Sequence, residues 1–424
     1  MIGTAALIIF LCHAACVASA ACKPRPPPDN NSTLSSCKLP AQDNVHFSVG
    51  FNYSGDCVPT SGELRAFMIF VDFSDAEAPS NDPPENLRDF FLPNAVEWYT
   101  KASNGALSLN ITADVSRYYR MPAPAASYHW ETGLSSQEHQ AYIQDALQAY
   151  TENGSRPPPP ETEVLYLVPT RSASSYITRS ITLDARVNTR EGVYVARKTI
   201  TFGTDAFDTW GFKTLNHETG HAMCLPDYYP YAAGLTTEHY VGGWSAMGLI
   251  GGPAPDFFAW DKWRLGWLSD ENIDCVLEHG TSEHILTPLE VTGGTKGVVI
   301  AVNETAAVVA EVRVAEGLDS NICAPGVLLY TIDTAIASGN GPIRVLDANP
   351  SSGGCGGANG ELNDATLSLD GRERGYDVPG WGISVKLVSQ DGGNFKIQPQ
   401  CSELLIETSA CPYRLMGQES HVFT

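Results

Sequence analysis

Residues 215–227, with the sequence LNHETGHAMCLPD, decide how this chain is organised. The apolar residues in and before this stretch follow roughly helical spacing: Trp210, Phe212, Leu215 and Met223. Asp205 or Asp208 can cap the first turn of the predicted helix, and Pro226 ends it because proline lacks a backbone N–H. The sequence therefore predicts a helix that carries a His-Glu-x-x-His pattern.

The His-Glu-x-x-His pattern is typical of zinc sites on helices. His217 and His221 stand four positions apart, so both imidazoles lie on one face of the helix. Neutral imidazoles leave most of the positive charge on zinc, which lowers the pKa of a bound water to about 7 and polarises a carbonyl group. Glu218, one step round the helix, is therefore predicted to act as general base and later as general acid.

Asp227 is the candidate third metal ligand. It follows His221 by six residues, just past the predicted helix end. A chain that turns back here can deliver a third ligand and leave the fourth coordination position open for water. Glu238 and His239 are rival ligands, and an ordinary turn position after Pro226 is the alternative role for Asp227.

These residues resemble the immune inhibitor A-like metallopeptidases, a family that belongs with the metzincins. Residues 217–228 are similar to its zinc helix, in which the histidines and the later acidic residue bind zinc and the glutamate is catalytic. Residues 244–248, WSAMG, are similar to its Met-turn segment, which implies that Met247 forms an apolar floor under the metal. Residues 260–267, WDKWRLGW, resemble the helix and Leu-Gly-Trp that follow. The resemblance covers about residues 64–267, with a looser match at residues 311–333.

Cys224 departs from the family's pattern, which usually has glycine at this position. That glycine lets the backbone turn in a left-handed conformation, which costs any other residue roughly 1 kcal/mol or more. The sequence leaves three states of Cys224 open: a disulfide partner, a free thiol or a competing zinc ligand.

The rest of the chain predicts a sheet followed by a β-rich tail. Short apolar runs predict strands at residues 64–73, 164–168, 297–302, 308–312 and 327–332. Residues 86–101 fit a helix with its aromatic residues inward, and residues 177–195 look strand-like but more polar. The expected fold is α/β (α+β): a metzincin-like catalytic domain with a twisted mixed sheet and the zinc-binding helix, followed by a β-rich C-terminal domain.

Four parts are predicted along the chain. Residues 1–20 read as a signal peptide, because an apolar run ends in the small-x-small pattern ASA; an uncleaved N-terminal anchor is the alternative. Residues 21–60 begin rich in Pro, Asn and Ser and are interpreted as a linker or short pro-segment. Residues 61–270 are assigned to the zinc metallopeptidase domain and residues 271–424 to the β-rich domain.

Cysteine and sequon counts favour an extracellular glycoprotein with disulfide bonds. If Cys12 and Cys16 are removed with the signal peptide, nine of the eleven cysteines remain. Because nine is an odd number, at least one of them has no intrachain partner. Cys22 is expected to pair with Cys37, and the alternative is that one of the two occupies the open zinc position and keeps the enzyme latent. Six Asn-x-Ser/Thr sequons support a secretory route: Asn30, Asn31, Asn52, Asn110, Asn153 and Asn303.

The formal charge of −22 argues against nucleic acid or an anionic membrane as partner, because both would repel this surface. Beyond the leader, no run reaches the roughly 18 to 20 apolar residues that cross a bilayer. The expected partners are protein or peptide substrates, and the chain is expected to be a monomer. Zinc is the expected cofactor, as one catalytic ion, with Ca²⁺ in acidic loops as a further candidate.

The function these features predict is that of a secreted zinc metalloendopeptidase of the HExxH type, which hydrolyses peptide bonds of extracellular proteins. One alternative is a catalytically inactive, peptidase-like binding protein, although a purely structural site gains nothing from the non-ligating Glu218. The other alternative is a glycan-binding secreted protein whose β-rich tail carries the function.

Overall fold

The computed structural model describes residues 32–130, 135–152, 157–183, 187–188, 194–355, 360–370 and 372–402. The predicted signal peptide and Cys22 lie outside these ranges. The fold is mixed α/β, with few helices and several sheets, and it is compatible with the predicted α+β architecture. Within the described ranges, no helix has the length and apolar character needed to cross a membrane.

The strands, in chain order, are β1 Gly62–Asp72, β2 Leu107–Arg120, β3 Val164–Pro169, β4 Ile181–Leu183, β5 Val187–Asn188, β6 Tyr194–Ala196, β7 Lys198–Thr201, β8 Ile273–Val276, β9 Gly280–Thr281, β10 His284–Leu286, β11 Gly297–Ala301, β12 Ala306–Arg313, β13 Gly326–Asp333, β14 Ile343–Val345, β15 Gly375–Val378, β16 Ile383–Asp391 and β17 Asn394–Cys401. The helices are α1 Ser32–Cys37, α2 Pro84–Phe91, α3 Asn94–Ala102, α4 Ser136–Glu152, α5 Lys213–Ala222 and α6 Ala259–Arg264. The predicted strands at residues 64–73, 164–168, 297–302, 308–312 and 327–332 are confirmed.

The first sheet has the strand order β2-β1-β3-β7-β4. Its first four strands are parallel, and β4 runs antiparallel to β7 at the edge. Every residue of β3 is buried, which explains its continuous apolar sequence. Within the described residues of the polar stretch 177–195, β4 alone joins this sheet, while β5 and β6 pair with each other.

The predicted single helix at residues 86–101 is wrong, because the chain forms two helices, α2 and α3, there. Pro93 follows α2, and the residue before it, Leu92, has an extended backbone with φ −110° and ψ 147°. Proline disfavours helical geometry at the preceding residue and so separates the two helices.

The predicted helix across the His-Glu-x-x-His pattern is also divided. Asp205 accepts a hydrogen bond from the backbone N–H of Ala206 and begins a short π-helical turn, Ala206–Trp210. Gly211, at φ 64°, interrupts the helical path. The α-helix that carries the histidines, α5, begins only at Lys213 and ends at Ala222, before Pro226.

The tail contains two further sheets packed face to face. The inner sheet has the order β14-β13-β12-β11-β8, and the outer sheet has the order β10-β17-β16-β15 with β9 beside β17. All eight residues of β12 are buried because the inner sheet is covered on both faces. Val309 shares a core with Trp260 of α6, whereas Val308 shares another core with Val385 of the outer sheet. One continuous core therefore crosses residue 270, and the division into four parts stays a prediction.

A buried ionic cluster joins the tail to the part of the chain before residue 270, here called the first unit. Arg313 of β12 donates hydrogen bonds to Glu311 at 2.6 Å and to Asp319 at 2.5 Å, and all three side chains are fully buried. Arg313 also donates to the carbonyl of Trp244 at 3.4 Å, and Glu311 accepts from the N–H of Ala259 at 2.7 Å. Because the buried charges are paired and hydrogen-bonded, the cluster fixes the tail against the 244–248 segment and α6.

Disulfide bonds, which the cysteine count predicts, join Cys37 to Cys275, Cys57 to Cys224 and Cys323 to Cys355. The predicted Cys22–Cys37 pair is wrong. Cys37 is fully buried in the core that includes α1 and the inner sheet, so its partner lies 238 residues away in the chain.

Residues 38–56 form a strap between the Cys37–Cys275 and Cys57–Cys224 disulfides. Ser48 Oγ donates to the carbonyl of Thr334 at 2.7 Å, and the indole N–H of Trp260 donates to the carbonyl of Val49 at 2.8 Å. Both Ser48 and Val49 are fully buried. The strap is therefore packed against the rest of the protein near its middle and tied at both ends.

Candidate metal centre

Helix α5 and the loop after it bring three polar side chains together. The Nε2 atoms of His217 and His221 lie 3.1 Å apart, and Asp227 Oδ1 lies 3.3 Å from the first and 3.1 Å from the second. The three form a group whose ligand atoms all lie within 4.8 Å of one another. The rival residues Glu238 and His239 lie outside this group.

Two backbone carbonyls orient the imidazoles. His217 Nδ1 lies 2.8 Å from the carbonyl oxygen of Ala246, and His221 Nδ1 lies 2.8 Å from that of Leu225. Because a carbonyl can only accept, each Nδ1 carries a proton, and in the neutral form of each ring the lone pair of Nε2 points towards Asp227. This is the arrangement in which histidines bind metals, with the second ring nitrogen held by the protein.

The charges around His217, His221 and Asp227 favour a proton or a cation between them. Burial lowers the pKa of His221, but the Asp227 and Glu218 carboxylates outweigh burial and raise it to about 9. Burial raises the pKa of Asp227, but His221 and His217 outweigh burial and hold it well below its ordinary value. Asp227 Oδ1 is buried and receives no hydrogen bond from any described residue. A proton on His221 or a cation can balance these acceptor atoms.

Cys224 turns the chain from α5 towards Asp227. Its backbone is left-handed at φ 65°, the conformation that glycine adopts most readily. The N–H of Leu225 donates to the carbonyl of Gly220 at 3.0 Å and closes the turn. The disulfide with Cys57 anchors the turn, which explains how a non-glycine residue is held at a strain of about 1 kcal/mol. The same disulfide removes Cys224 as a competing ligand.

Asp227 is held by a loop of the tail. Its backbone N–H donates to Ser338 Oγ at 2.9 Å, and its carbonyl accepts from the N–H of Gly339 at 3.0 Å. Tyr231 donates its hydroxyl to Asp227 Oδ2 at 2.5 Å, which leaves Oδ1 facing the histidines. The tail therefore orients Asp227, the third member of the group and its acidic side chain.

Met247 lies directly beneath α5 and is fully buried. A Cβ atom on Gly220 would lie 2.6 Å from Met247 Sδ, so the absent side chain at Gly220 allows this close approach. The carbonyl of Met247 accepts a hydrogen bond from the N–H of Tyr228 at 2.8 Å. Met247 thus packs under the helix turn between the two histidines.

Glu218 lies beside the group rather than in it and is 6% exposed. Thr182 Oγ1, on β4, lies 2.6 Å from Glu218 Oε2 and 2.9 Å from its backbone carbonyl, so one hydroxyl proton serves both acceptors. Burial raises the pKa of Glu218 above its ordinary value, although His221, His217 and Thr182 act in the opposite direction. Such a carboxyl group is suited to accept and return a proton.

A cleft of about 380 Å³ opens onto Glu218, His221 and Asp227. Its other walls come from distant parts of the chain: residues 179–182 before and within β4, His46 and Phe47 of the strap, Tyr229 and Tyr231, and Ala337 and Ser338 of the tail. The Phe47 ring centroid lies 6.0 Å from that of His221, so the strap reaches the candidate metal ligands.

Several residues of the cleft could not be predicted from the sequence. Thr182, Ser338, Tyr231 and Phe47 belong to no motif, and each reaches the site through tertiary contacts. The only available signal is the strand-like stretch 177–195, which contains Thr182. Among the described residues no second group of His, Cys, Asp and Glu side chains comes together, and the calcium expectation stays a prediction.

A scan against models of protein families finds no match for this chain, and no curated protein matches it.

Proposed function

We propose that this chain is a secreted zinc-dependent endopeptidase, related to the immune inhibitor A-like metallopeptidases and therefore to the metzincins. One observation carries the proposal: His217 Nε2, His221 Nε2 and Asp227 Oδ1 converge beside a carboxylate, Glu218, that is not part of their group. The disulfides support the secretory part, because such bonds persist in oxidising compartments.

The donor set fits zinc. Two imidazole nitrogens and one carboxylate oxygen are ligands that zinc accepts, and three protein ligands leave room for water or substrate in a tetrahedral catalytic site. The buried Asp227 Oδ1, without a hydrogen-bond donor among the described residues, fits a metal ligand better than a structural hydrogen-bond acceptor. Zinc held there would supply a Lewis acid that polarises a peptide carbonyl and acidifies water.

The protein's own groups supply the proton transfer. Glu218 faces the cleft and is held by Thr182, so its free carboxylate oxygen can take a proton from water. The same carboxyl group can return that proton to the nitrogen of the leaving amine. Thr182 acts as a positioning residue, because its hydroxyl fixes the rotamer of Glu218 without reaching the reacting atoms.

The edge of the first sheet supports an extended protein substrate. Strand β4 is the last strand of its sheet, and within the described residues no strand pairs with its outer edge. An extended peptide can add to such an edge through main-chain hydrogen bonds. Thr182 lies on this strand, so a peptide there would pass beside Glu218.

The proposal is tested by protein hydrolysis with the purified full-length chain, before and after treatment with a zinc chelator. We expect chelation to abolish hydrolysis and added zinc to restore it. A denatured protein substrate should be cut at internal bonds, which mass spectrometry of the fragments would report. Hydrolysis that persists at full rate after the metal has been removed would contradict the proposal.

A further inference from the structure

Arg179 is a cation in the cleft that has no partner among the residues the structure describes. It is exposed, and it lines the same cleft as Glu218, His221 and Asp227. No described residue forms an ion pair with its guanidinium, accepts a hydrogen bond from it or stacks an aromatic ring against it. Arg171 and Arg197, by contrast, pair with Asp82 at 2.7 Å and Glu163 at 3.2 Å.

The missing partner stands out because the protein is rich in carboxylates. The chain has 48 acidic and 26 basic residues, a difference of 22. Two other exposed arginines, Arg65 and Arg120, pair with Glu63 and Asp72. An arginine that faces a cleft without one is available to a carboxylate that comes from outside the chain.

The backbone that carries Arg179 is rigidly supported. The carbonyl of Arg179 accepts from the indole N–H of Trp130 at 2.9 Å, and the next residue, Ser180, bonds to Asp205 through its N–H at 2.8 Å and its hydroxyl at 2.7 Å. Gly203 packs against it so closely that a Cβ there would lie 2.5 Å from the backbone of Arg179. These contacts hold the base of the side chain in place before any ligand arrives.

Arg179 precedes Thr182, the residue that contacts Glu218, by three positions. Three residues of extended chain span about 10 Å. In a peptide bound along this edge, a side chain within about three residues of the scissile bond would therefore lie close to the guanidinium of Arg179.

We infer that Arg179 forms a carboxylate-binding subsite, so that the preferred substrates carry a carboxylate within a few residues of the cleaved bond. The inference rests on the proposed peptidase function. The carboxylate comes from a Glu or Asp side chain or from the free C-terminus of the peptide. A planar guanidinium suits either source, because it can donate two parallel hydrogen bonds to one carboxylate.

The test uses peptides that are identical except for Glu or Gln at each position around one cleaved bond, each with a free or an amidated C-terminus. For the wild-type chain we expect kcat/KM to be about tenfold higher with Glu at one position, as one charge-assisted contact would give. Arg179→Ala should remove this preference, and Arg179→Glu should transfer it to a Lys peptide. Arg117→Ala is the matched control, because Arg117 is also exposed but lies on β2 outside the cleft.

Binding of the same peptides to the Glu218→Gln chain, measured by fluorescence anisotropy, separates the two claims. A Glu preference in Kd that depends on Arg179 supports the subsite even without turnover, whereas a wild-type chain that cuts no peptide contradicts the proposed function. A tenfold loss on amidation alone assigns the subsite to the C-terminal carboxylate. An equal effect of Arg179→Ala on Glu and Gln peptides, or no effect, overturns the inference.

Discussion

The candidate site has two halves that are built in different ways. The first half, α5 with the turn to Asp227, is a short continuous stretch in which helix geometry and one left-handed residue place every metal-facing atom. The second half consists of Thr182, the strap and the Ser338 loop, which are far apart in the chain and meet only in the folded protein. In the proposed enzyme the local half supplies the reacting groups, and the distant half orients them and shapes the cleft.

Glu218→Gln should have the largest effect, because it removes the proton acceptor of the local half and keeps its shape. We expect the rate of protein hydrolysis to fall by about 10³ to 10⁴, near the upper limit for a lost general base, while zinc content and fold are preserved. Steady-state kinetics and metal analysis of the same sample check this. Glu238→Gln, outside the metal group, is the control and should retain full activity.

Arg313→Met should show that the tail and the first unit fold together. The change leaves Glu311 and Asp319 buried without their cation, which costs about 3 to 5 kcal/mol of unfolding free energy. Urea unfolding should remain a single transition with a lower midpoint. Arg374→Met, at an exposed position, should leave the midpoint unchanged. A tail that unfolds separately in the wild-type chain would contradict the integrated architecture.

Acid pH should lower the unfolding free energy through His139, which lies outside the candidate metal centre. His139 of α4 is buried, with Nε2 3.0 Å from Thr201 Oγ1, and burial lowers its pKa to about 4. The unfolded chain binds a proton below about pH 6.5, whereas the native ring stays neutral. The unfolding free energy should therefore fall by on the order of 3 kcal/mol as the pH drops from 6.5 to 4.

His139→Gln tests this assignment, because glutamine keeps a polar group near Thr201 but does not titrate in this range. Denaturant unfolding of both chains at pH 7, 5.5 and 4 would give the comparison. If the variant loses as much stability on acidification as the wild-type chain, His139 is not the responsible group.

Ser338→Ala should have the smallest effect of these changes and addresses the distant half directly. The Asp227 N–H loses its acceptor, so we expect zinc affinity to weaken by about 10- to 100-fold, as for other residues that orient metal ligands. Competition with a fluorescent chelator measures this. Ser320→Ala, an exposed serine of the same tail, should bind zinc like the wild-type chain. Equal affinities for all three chains would mean that the tail does not position Asp227.

The sequence predicts the local half well because spacing along a helix determines which side chains share a face. His217 and His221 share a face of α5 and Asp227 lies close to both, while their role as metal ligands stays a prediction. The main strands are also predicted, because continuous apolar runs leave few alternatives to buried strands.

The distant half could not be predicted, because its contacts depend on tertiary packing. Nothing near Ser338 in the sequence indicates that it bonds to a residue 111 positions away. The Cys37–Cys275 disulfide and the left-handed Cys224 with its disulfide could not be predicted either. Each depends on a partner that is distant in the sequence and close only in the folded protein. Pro93, by contrast, was a local signal, and it explains why the predicted helix at residues 86–101 was wrong.

The central claim is that two imidazoles and Asp227 hold a zinc ion beside Glu218. Zinc K-edge X-ray absorption of the purified chain, with metal content measured on the same sample, tests it most directly. We predict about one zinc per chain, with two nitrogen ligands at about 2.0 to 2.1 Å and oxygen ligands completing the shell. Sulfur in the first shell, a single nitrogen ligand or no bound zinc at saturating concentration would contradict the account.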